Sequence, residues 1–110
     1  MQVTVIGVGK MGLQMARHIA AAGHAVVVYD NSPVARENGH AAGLHVLADL
    51  ASAVRQADVV LSSLPHDDAL LAVGAEVVAH ASAQAIYVDT STVSIYSLII
   101  PLTKQKLLSV

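Results

Sequence analysis

The 110-residue sequence predicts an α/β fold, a doubly wound parallel sheet of about five strands. Three observations carry this prediction. Short runs rich in β-branched residues alternate with longer segments of helical periodicity, a spacing typical of βαβ units. The apolar runs are nearly continuous, as in parallel strands that are buried on both faces. Hydrophobic residues make up 55% of the chain and charged residues 13%, which favours a packed core over a disordered chain.

The first βαβ unit occupies the N-terminal thirty residues. Residues 2–6 are a short apolar run that predicts the first strand. A helix follows, because Met11, Met15 and Ile19 recur at four-residue steps, as on one helix face. A glycine ends this helix, and residues 25–30, AVVVYD, predict the second strand.

The rest of the chain repeats this alternation. Ser32 and Pro33 have the chemistry of a helix N-cap and first helical position, and they predict a helix to about Ala42. The elements that follow are a strand at 44–46, a helix capped by Asp49 and running to Gln56, a strand over 58–65, a helix from Asp67 or Asp68 to about Ala81, and a strand at 85–89. We interpret residues 95–110 as an atypical C-terminal tail.

A glycine-rich motif lies at the junction of the first strand and the first helix. In VIGVGKMGLQMA, Gly7, Gly9 and Gly12 have G-x-G-x-x-G spacing. The first glycine permits a tight turn, the second lets a diphosphate approach the backbone, and the third allows the helix to pack on the strand. Unpaired N–H groups at the helix N-terminus favour anions. The motif predicts dinucleotide binding in a Rossmann-type fold; a purely structural turn is the alternative.

An acidic residue at the end of the second strand supports this prediction. Asp30 follows Gly12 by 18 residues, near the offset of about 20 at which an acid binds the adenosine ribose. Its carboxylate repels the 2′-phosphate of NADP, and Asn31 stands where an arginine could bind that phosphate, so NAD is the favoured cofactor. Arg36 keeps NADP as an alternative, although we interpret it as a solvated charge on an exposed helix turn.

Four blocks of the sequence, VIGVGKMGLQMA, AGHAVVVYD, DVVLSSLP and VDTSTVS, resemble the β-hydroxyacid dehydrogenases in order and spacing. That family includes 3-hydroxyisobutyrate dehydrogenase, tartronate semialdehyde reductase and, more distantly, 6-phosphogluconate dehydrogenase. The resemblance covers residues 1–94, which it implies are the dinucleotide-binding domain. It implies an NAD(P)-dependent oxidoreductase that transfers a hydride between nicotinamide and the CH–OH group of a small 3-hydroxyacid.

The resemblance also implies site residues. The cofactor-binding set is Gly7, Val8, Gly9, Lys10, Met11 and Gly12 at the diphosphate, Asp30 and Asn31 at the ribose, Leu64 and Pro65 beside the adenosine, and Thr92 near the nicotinamide. Ser91 and Thr92 match the segment that binds the substrate carboxylate. Hydroxyls at the carboxyl end of a parallel strand lie where open α/β sheets bind ligands. A helix cap is the alternative for both residues.

The resemblance ends near residue 95. Ile95 stands where the family continues with proline, and the family's catalytic lysine, a general acid or base, falls beyond these 110 residues. Lys104 and Lys106 are interpreted as solvated, so no catalytic residue is assigned. We expect a truncated chain, without its substrate and catalytic domain, that is inactive alone and self-associates through exposed apolar surface.

Composition argues against several other functions. The net charge is −2 and the cations are scattered, so no basic surface for nucleic acid is expected. The chain has no cysteine, and its six histidines lack metal-ligand spacing. No leader or membrane-length apolar segment is visible, which favours the cytoplasm. Two alternatives stay open: the N-terminal domain of an imine reductase, and a non-catalytic dinucleotide-binding module.

Overall fold

The computed structural model describes residues 1–64, 67–90, 98–101 and 108–109, with side chains for 1–64 and 72–90. Within these residues, strands and helices alternate along the chain. The elements are β1 (Gln2–Ile6), α1 (Lys10–Ala21), β2 (Ala25–Tyr29), α2 (Pro33–Ala41), β3 (His45–Val46), α3 (Leu50–Arg55), β4 (Val59–Ser62), α4 (Asp67–His80), β5 (Ile86–Asp89), β6 (Leu98–Pro101) and β7 (Leu108–Ser109).

The strands form one sheet in the order β3-β2-β1-β4-β5-β6-β7. Among the five strands from β1 to β5, every pair of neighbouring strands is parallel. Strand order reverses between β1 and β4, since β2 and β3 lie on one side of β1 and β4 and β5 on the other. Ligands of open α/β sheets bind at such a switch point, beyond the carboxyl ends of the strands. The predicted Rossmann-type, doubly wound parallel sheet is confirmed.

The sheet continues beyond the five predicted strands. β6 pairs antiparallel with β5, and β7 pairs antiparallel with β6. The sequence predicted no element within residues 95–110, although the apolar run LIIP of β6 is a short strand pattern. This run was not predicted as a strand because it lacks the alternation with helices that identified the other strands. The domain boundary at residue 94 stays a prediction.

The buried face of α1 differs from the predicted one. Met11 is 47% exposed, whereas Gly12 and Ala16 are buried. Met15 and Ile19 are half-buried beside them. The four-residue periodicity was right, but the face is turned by one residue, because only the small side chains let α1 approach the sheet closely.

Two apolar layers, one on each face of the sheet, hold the domain together. Each consists of side chains that are at most a few per cent exposed. Val3, Val5, Val8, Ala16 and Val28 form the layer beneath α1, and Ile6, Val54, Ala57, Val60, Val77, Ala85 and Tyr87 form the layer toward α3 and α4. Because both faces are covered, the strands present their carboxyl ends, rather than a face, to a ligand.

The predicted helix caps are present. The Ser32 hydroxyl accepts a hydrogen bond from the Ala35 N–H at 3.3 Å, with Pro33 at the first helical position. The Asp49 carboxylate accepts from the Ser52 N–H at 2.8 Å. That bond, together with one from the Ser52 hydroxyl, holds the pKa of Asp49 below its usual value. These caps fix where α2 and α3 begin.

A buried polar cluster joins β4 to β5. The Ser62 hydroxyl donates to Asp89 Oδ1 at 2.8 Å and lies 2.8 Å from the Tyr87 hydroxyl. All three residues are at most 1% exposed. Burial raises the pKa of Tyr87 to about 12, with the nearby Asp89 carboxylate as a smaller cause in the same direction. The cluster links the carboxyl ends of β4 and β5 by hydrogen bonds beside the switch point.

We expect the free energy of unfolding to fall as pH rises from 10 to about 12. In that window the unfolded chain loses the Tyr87 proton while the folded chain keeps it, so deprotonation favours unfolding. The loss contributed by Tyr87 is about 2 to 3 kcal/mol. Urea unfolding at a series of pH values measures it, with Tyr87→Phe as the control that lacks this contribution. Equal losses in both proteins would contradict the assignment.

Within the described residues, no helix combines the length and the apolar character that a bilayer crossing requires.

Candidate dinucleotide site

A cavity of about 640 Å³ opens at the carboxyl ends of β1, β2 and β4. This volume is in the range of small-molecule and cofactor sites. Two groups of predicted residues line it: Gly7, Gly9, Lys10 and Met11 from the turn between β1 and α1, and Asp30 and Asn31 from the end of β2. The sequence motif and the acidic residue therefore face one space.

Two of the three motif glycines are required by the fold itself. Gly7 has a φ of +94°, and a Cβ there would lie 2.0 Å from the Ser63 carbonyl oxygen. A Cβ on Gly12 would lie 1.7 Å from the Gly7 carbonyl oxygen. Both contacts are with backbone, which cannot give way without moving β4 or α1. These glycines let the turn, α1 and β4 pack directly on one another.

Gly9 differs from the other two. Its φ of −73° and ψ of −167° suit any residue, and a Cβ on it would meet no protein atom within 4 Å. Neither packing nor backbone conformation explains a glycine here. The open space belongs to the cavity that Gly9 lines. A group that approaches the backbone closely from the cavity, such as a diphosphate, fits this position.

The N-terminus of α1 completes this part of the site. Gly9 is the N-cap, and no side chain caps the helix. The first N–H groups of a helix have no acceptor within it, and the helix dipole adds a partial positive charge. Lys10 and Met11, the first two helical residues, line the same cavity. The turn can therefore donate several hydrogen bonds to an anion.

Asp30 joins the glycine-rich turn to α2. Its Oδ2 accepts from the Val8 N–H at 2.8 Å, and its Oδ1 accepts from the Ser32 N–H at 2.8 Å. The Val8 side chain is 1% exposed and packs in the core. This carboxylate thus fixes the turn before any ligand is bound, while lone pairs remain on both oxygens for hydroxyl donors.

The rest of the cavity lining is mainly apolar. It includes Leu64, which the family resemblance implied lies beside the adenosine. Other lining residues were not predicted: Ile6, Tyr29, Ser32, Ala35, Leu50, Ser63, Ala72, Val73 and Glu76. Tyr29 and Ser32 flank the predicted pair Asp30 and Asn31 in sequence and could have been inferred from that proximity. The α3 and α4 residues carry no motif, so only the packing of the helices reveals them.

The remaining predicted residues have different placements. Val8 and Gly12 support the turn from the core side and do not line the cavity. Pro65, Ser91 and Thr92 lie outside the described residues. In the part of the chain that the structure describes, no three potential ligands converge on a metal position.

The comparisons with known proteins agree with this geometry. Residues 2–100 match the family model described as the NAD binding domain of 6-phosphogluconate dehydrogenase. The chain belongs to this family. The match confirms the resemblance inferred from the four sequence blocks. It also confirms the prediction that the cofactor of this domain is a nicotinamide dinucleotide.

Individual relatives agree as well. The domain is 32% identical over 93 residues to "Probable 3-hydroxyisobutyrate dehydrogenase" of Mycobacterium tuberculosis, covering 84% of this chain and 32% of that protein. It is 32% identical over 96 residues to "NAD-dependent L-serine dehydrogenase" of Pseudomonas aeruginosa, again covering 84% and 32%. The structure of the Mycobacterium tuberculosis 3-hydroxyisobutyrate dehydrogenase with L-serine has a TM-score of 0.79 at 32% identity, covering 84% and 32%. The chain spans about a third of the length of these curated relatives.

Proposed function

We propose that this NAD-binding domain serves an oxidoreductase that acts on the CH–OH group of a small 3-hydroxyacid and prefers NAD to NADP. The observation that carries the proposal is Gly9, a glycine that neither packing nor backbone conformation explains and that faces the cavity at the start of α1. A diphosphate at this position accounts for it.

The residues of the turn bind the diphosphate in this proposal. The N–H groups at the start of α1 donate to its oxygens, and the helix dipole stabilises its negative charge. Asp30 holds the turn in place through Val8 and accepts hydrogen bonds from the adenosine ribose. Because the turn is fixed in advance, less conformational entropy is lost when the cofactor binds.

Asp30 is also the basis of the NAD preference. Its carboxylate lies at the end of β2, where the ribose is proposed to bind. A 2′-phosphate there brings like charges together, and this repulsion lowers affinity for NADP.

The substrate class rests on the relatives. 3-Hydroxyisobutyrate and L-serine, after which these relatives are named, both carry a hydroxyl on the carbon next to the α-carbon of a carboxylic acid. Nicotinamide, when bound, accepts or supplies the hydride. We propose that Ser91 and Thr92 bind the substrate carboxylate. No described residue is assigned as the proton acceptor, and we expect the chain alone to bind cofactor without turnover.

Two further expectations, on cellular location and on self-association, stay predictions. One is a cytoplasmic location. The other is self-association through apolar surface, for which Ile86 on β5, 47% exposed, is a contributor.

Titration calorimetry of the 110-residue chain with NAD tests the cofactor proposal. We expect saturable binding, competition by ADP-ribose, and no change in 340 nm absorbance when 3-hydroxyisobutyrate or L-serine is added with NAD. Absence of binding at millimolar NAD by a folded protein would refute the function. Turnover of either acid would instead refute the expectation that the chain is inactive alone.

A further inference from the structure

Ser63, the residue that follows β4, supports the glycine-rich turn from the side opposite β2. Its carbonyl oxygen lies so close to Gly7 that a Cβ on that glycine would be 2.0 Å away. The Ser63 Cβ in turn would lie 3.7 Å from a Cβ on Gly12. Its N–H donates to the Ile6 carbonyl oxygen at 2.9 Å. Because both glycines pack against Ser63, a shift of this residue must also shift the turn.

Ser62, the last residue of β4, is bonded to β5 and the residue after it through both its carbonyl and its side chain. The Ser62 carbonyl oxygen accepts from the Thr90 N–H at 2.8 Å and from the Thr90 hydroxyl at 2.9 Å. The Ser62 hydroxyl donates to Asp89 Oδ1 and lies beside the Tyr87 hydroxyl, each at 2.8 Å. The position of Ser63 therefore depends on bonds that are made one residue earlier.

Net stability does not explain a polar cluster at this depth. Ser62, Tyr87 and Asp89 are at most 1% exposed, and the layer to which Tyr87 belongs is built from apolar side chains. A buried polar group loses its hydration, and apolar side chains of similar size often stabilise a core as well or better. Hydrogen bonds are directional, however, so a buried network specifies one arrangement of the strands. Here that network specifies how the end of β4 lies beside β5.

We propose that Asp89 is a positioning residue for cofactor binding, which acts through Ser62 to hold Ser63 where the glycine-rich turn receives the diphosphate. The inference rests on the proposed function, which places the diphosphate at that turn. Asp89 is fully buried and does not line the cavity, so its effect on the cofactor is indirect. Asp30 holds the turn from the side of β2, through the Val8 N–H. Asp89 holds it from the side of β4.

The test compares NAD binding by calorimetry in the wild-type chain, Asp89→Ala, Asp89→Asn and Ser62→Ala, with urea unfolding of each. We expect Asp89→Ala and Ser62→Ala each to lower NAD affinity about tenfold, because both remove the bond that fixes the end of β4. Asp89→Asn keeps an oxygen that accepts from the Ser62 hydroxyl, and its NAD affinity should stay within about threefold of wild type. ADP-ribose, which carries the diphosphate without nicotinamide, should lose affinity by the same factors as NAD.

Thr4→Val is the matched control for Ser62→Ala. Thr4 is also a fully buried strand residue, and its hydroxyl donates to the Ala53 carbonyl oxygen, but it does not line the cavity or contact β5 through that hydroxyl. Stability should fall while NAD affinity stays unchanged. Three results would each overturn the proposal: an affinity loss in Asp89→Ala no greater than in Thr4→Val, a loss for NAD that ADP-ribose does not share, or a loss in Asp89→Asn as large as in Asp89→Ala.

Hydrogen exchange of the wild-type chain, followed by NMR, requires no variant to fold. If the end of β4 and the turn move as one unit, ADP-ribose should slow exchange of the Thr90 N–H, although Thr90 does not line the cavity. The Asp58 N–H, bonded to the Gln2 carbonyl oxygen at the amino ends of the strands, is the reference. Protection of Thr90 no greater than that of Asp58 would contradict the role of Asp89. A folded wild-type chain that binds neither NAD nor ADP-ribose would instead refute the proposed function.

Discussion

Gly12→Ala is expected to destabilise the domain by more than about 3 kcal/mol, or to prevent folding altogether. The new Cβ would lie 1.7 Å from the Gly7 carbonyl oxygen. Relief requires α1 to move away from the turn, which opens the layer where Ala16 packs. Urea unfolding followed by circular dichroism measures the change, as a large fall in the midpoint or loss of the cooperative transition.

Gly74→Ala is the matched control for this prediction. Gly74 also lies in a helix, but a Cβ there would have its nearest contact, the Tyr87 ring, at 3.9 Å. Alanine is favoured over glycine within helices, so stability should rise by about 0.5 to 1 kcal/mol. Equal destabilisation by both substitutions would show that the close approach of Gly12 to Gly7 is not what limits the fold.

Asp30→Ala is expected to lower NAD affinity by about 10- to 100-fold and to reduce stability by about 1 to 3 kcal/mol. Two backbone N–H groups, of Val8 and Ser32, lose their acceptor, and the ribose hydroxyls lose the acceptor that we propose for them. The turn is then free to leave the conformation that binds the diphosphate. Calorimetry with NAD and urea unfolding measure the two effects separately.

Asp58→Ala is the control that distinguishes a loss of NAD affinity specific to Asp30 from a general effect of removing a carboxylate. Asp58 Oδ2 also accepts a backbone N–H, that of Gln2, at 2.8 Å, but at the amino end of β1 and away from the cavity. Some loss of stability is expected, with NAD affinity unchanged. If Asp30→Ala bound NAD as tightly as Asp58→Ala, Asp30 would have no place in the cofactor site.

Much of the fold follows from local signals in the sequence. Ser32 and Asp49 cap the helices they were predicted to cap, because capping depends on residues three positions apart. The buried strands were identified by apolar runs, since both sheet faces are covered. The antiparallel β6 and β7 were missed because pairing with β5 is a long-range contact that leaves no local periodicity.

The candidate site was predictable only where a motif carries it. Gly9 and Asp30 were found from their spacing in the sequence. That spacing did not reveal how Gly9 differs from the other two motif glycines, because only the structure shows that a Cβ on Gly9 would have no neighbour within 4 Å. Leu50 and Glu76 reach the cavity through the packing of α3 and α4, to which no motif points. Arg36 was interpreted as a solvated charge, but it is half-buried and its Nη1 donates to the Asp30 carbonyl oxygen at 2.7 Å, a bond that depends on how α2 folds back over β2.

The central claim is that the space above Gly9 receives the diphosphate of the cofactor. Calorimetric titration of NAD into Gly9→Ala, beside the wild-type chain, tests it most directly. Alanine at this N-cap should cost no more than about 1 kcal/mol of stability, yet its methyl group takes up the open space beside Gly9, a residue that lines the cavity. We predict a folded protein whose NAD affinity falls by about 10- to 100-fold. A folded Gly9→Ala protein that binds NAD with undiminished affinity would contradict the claim.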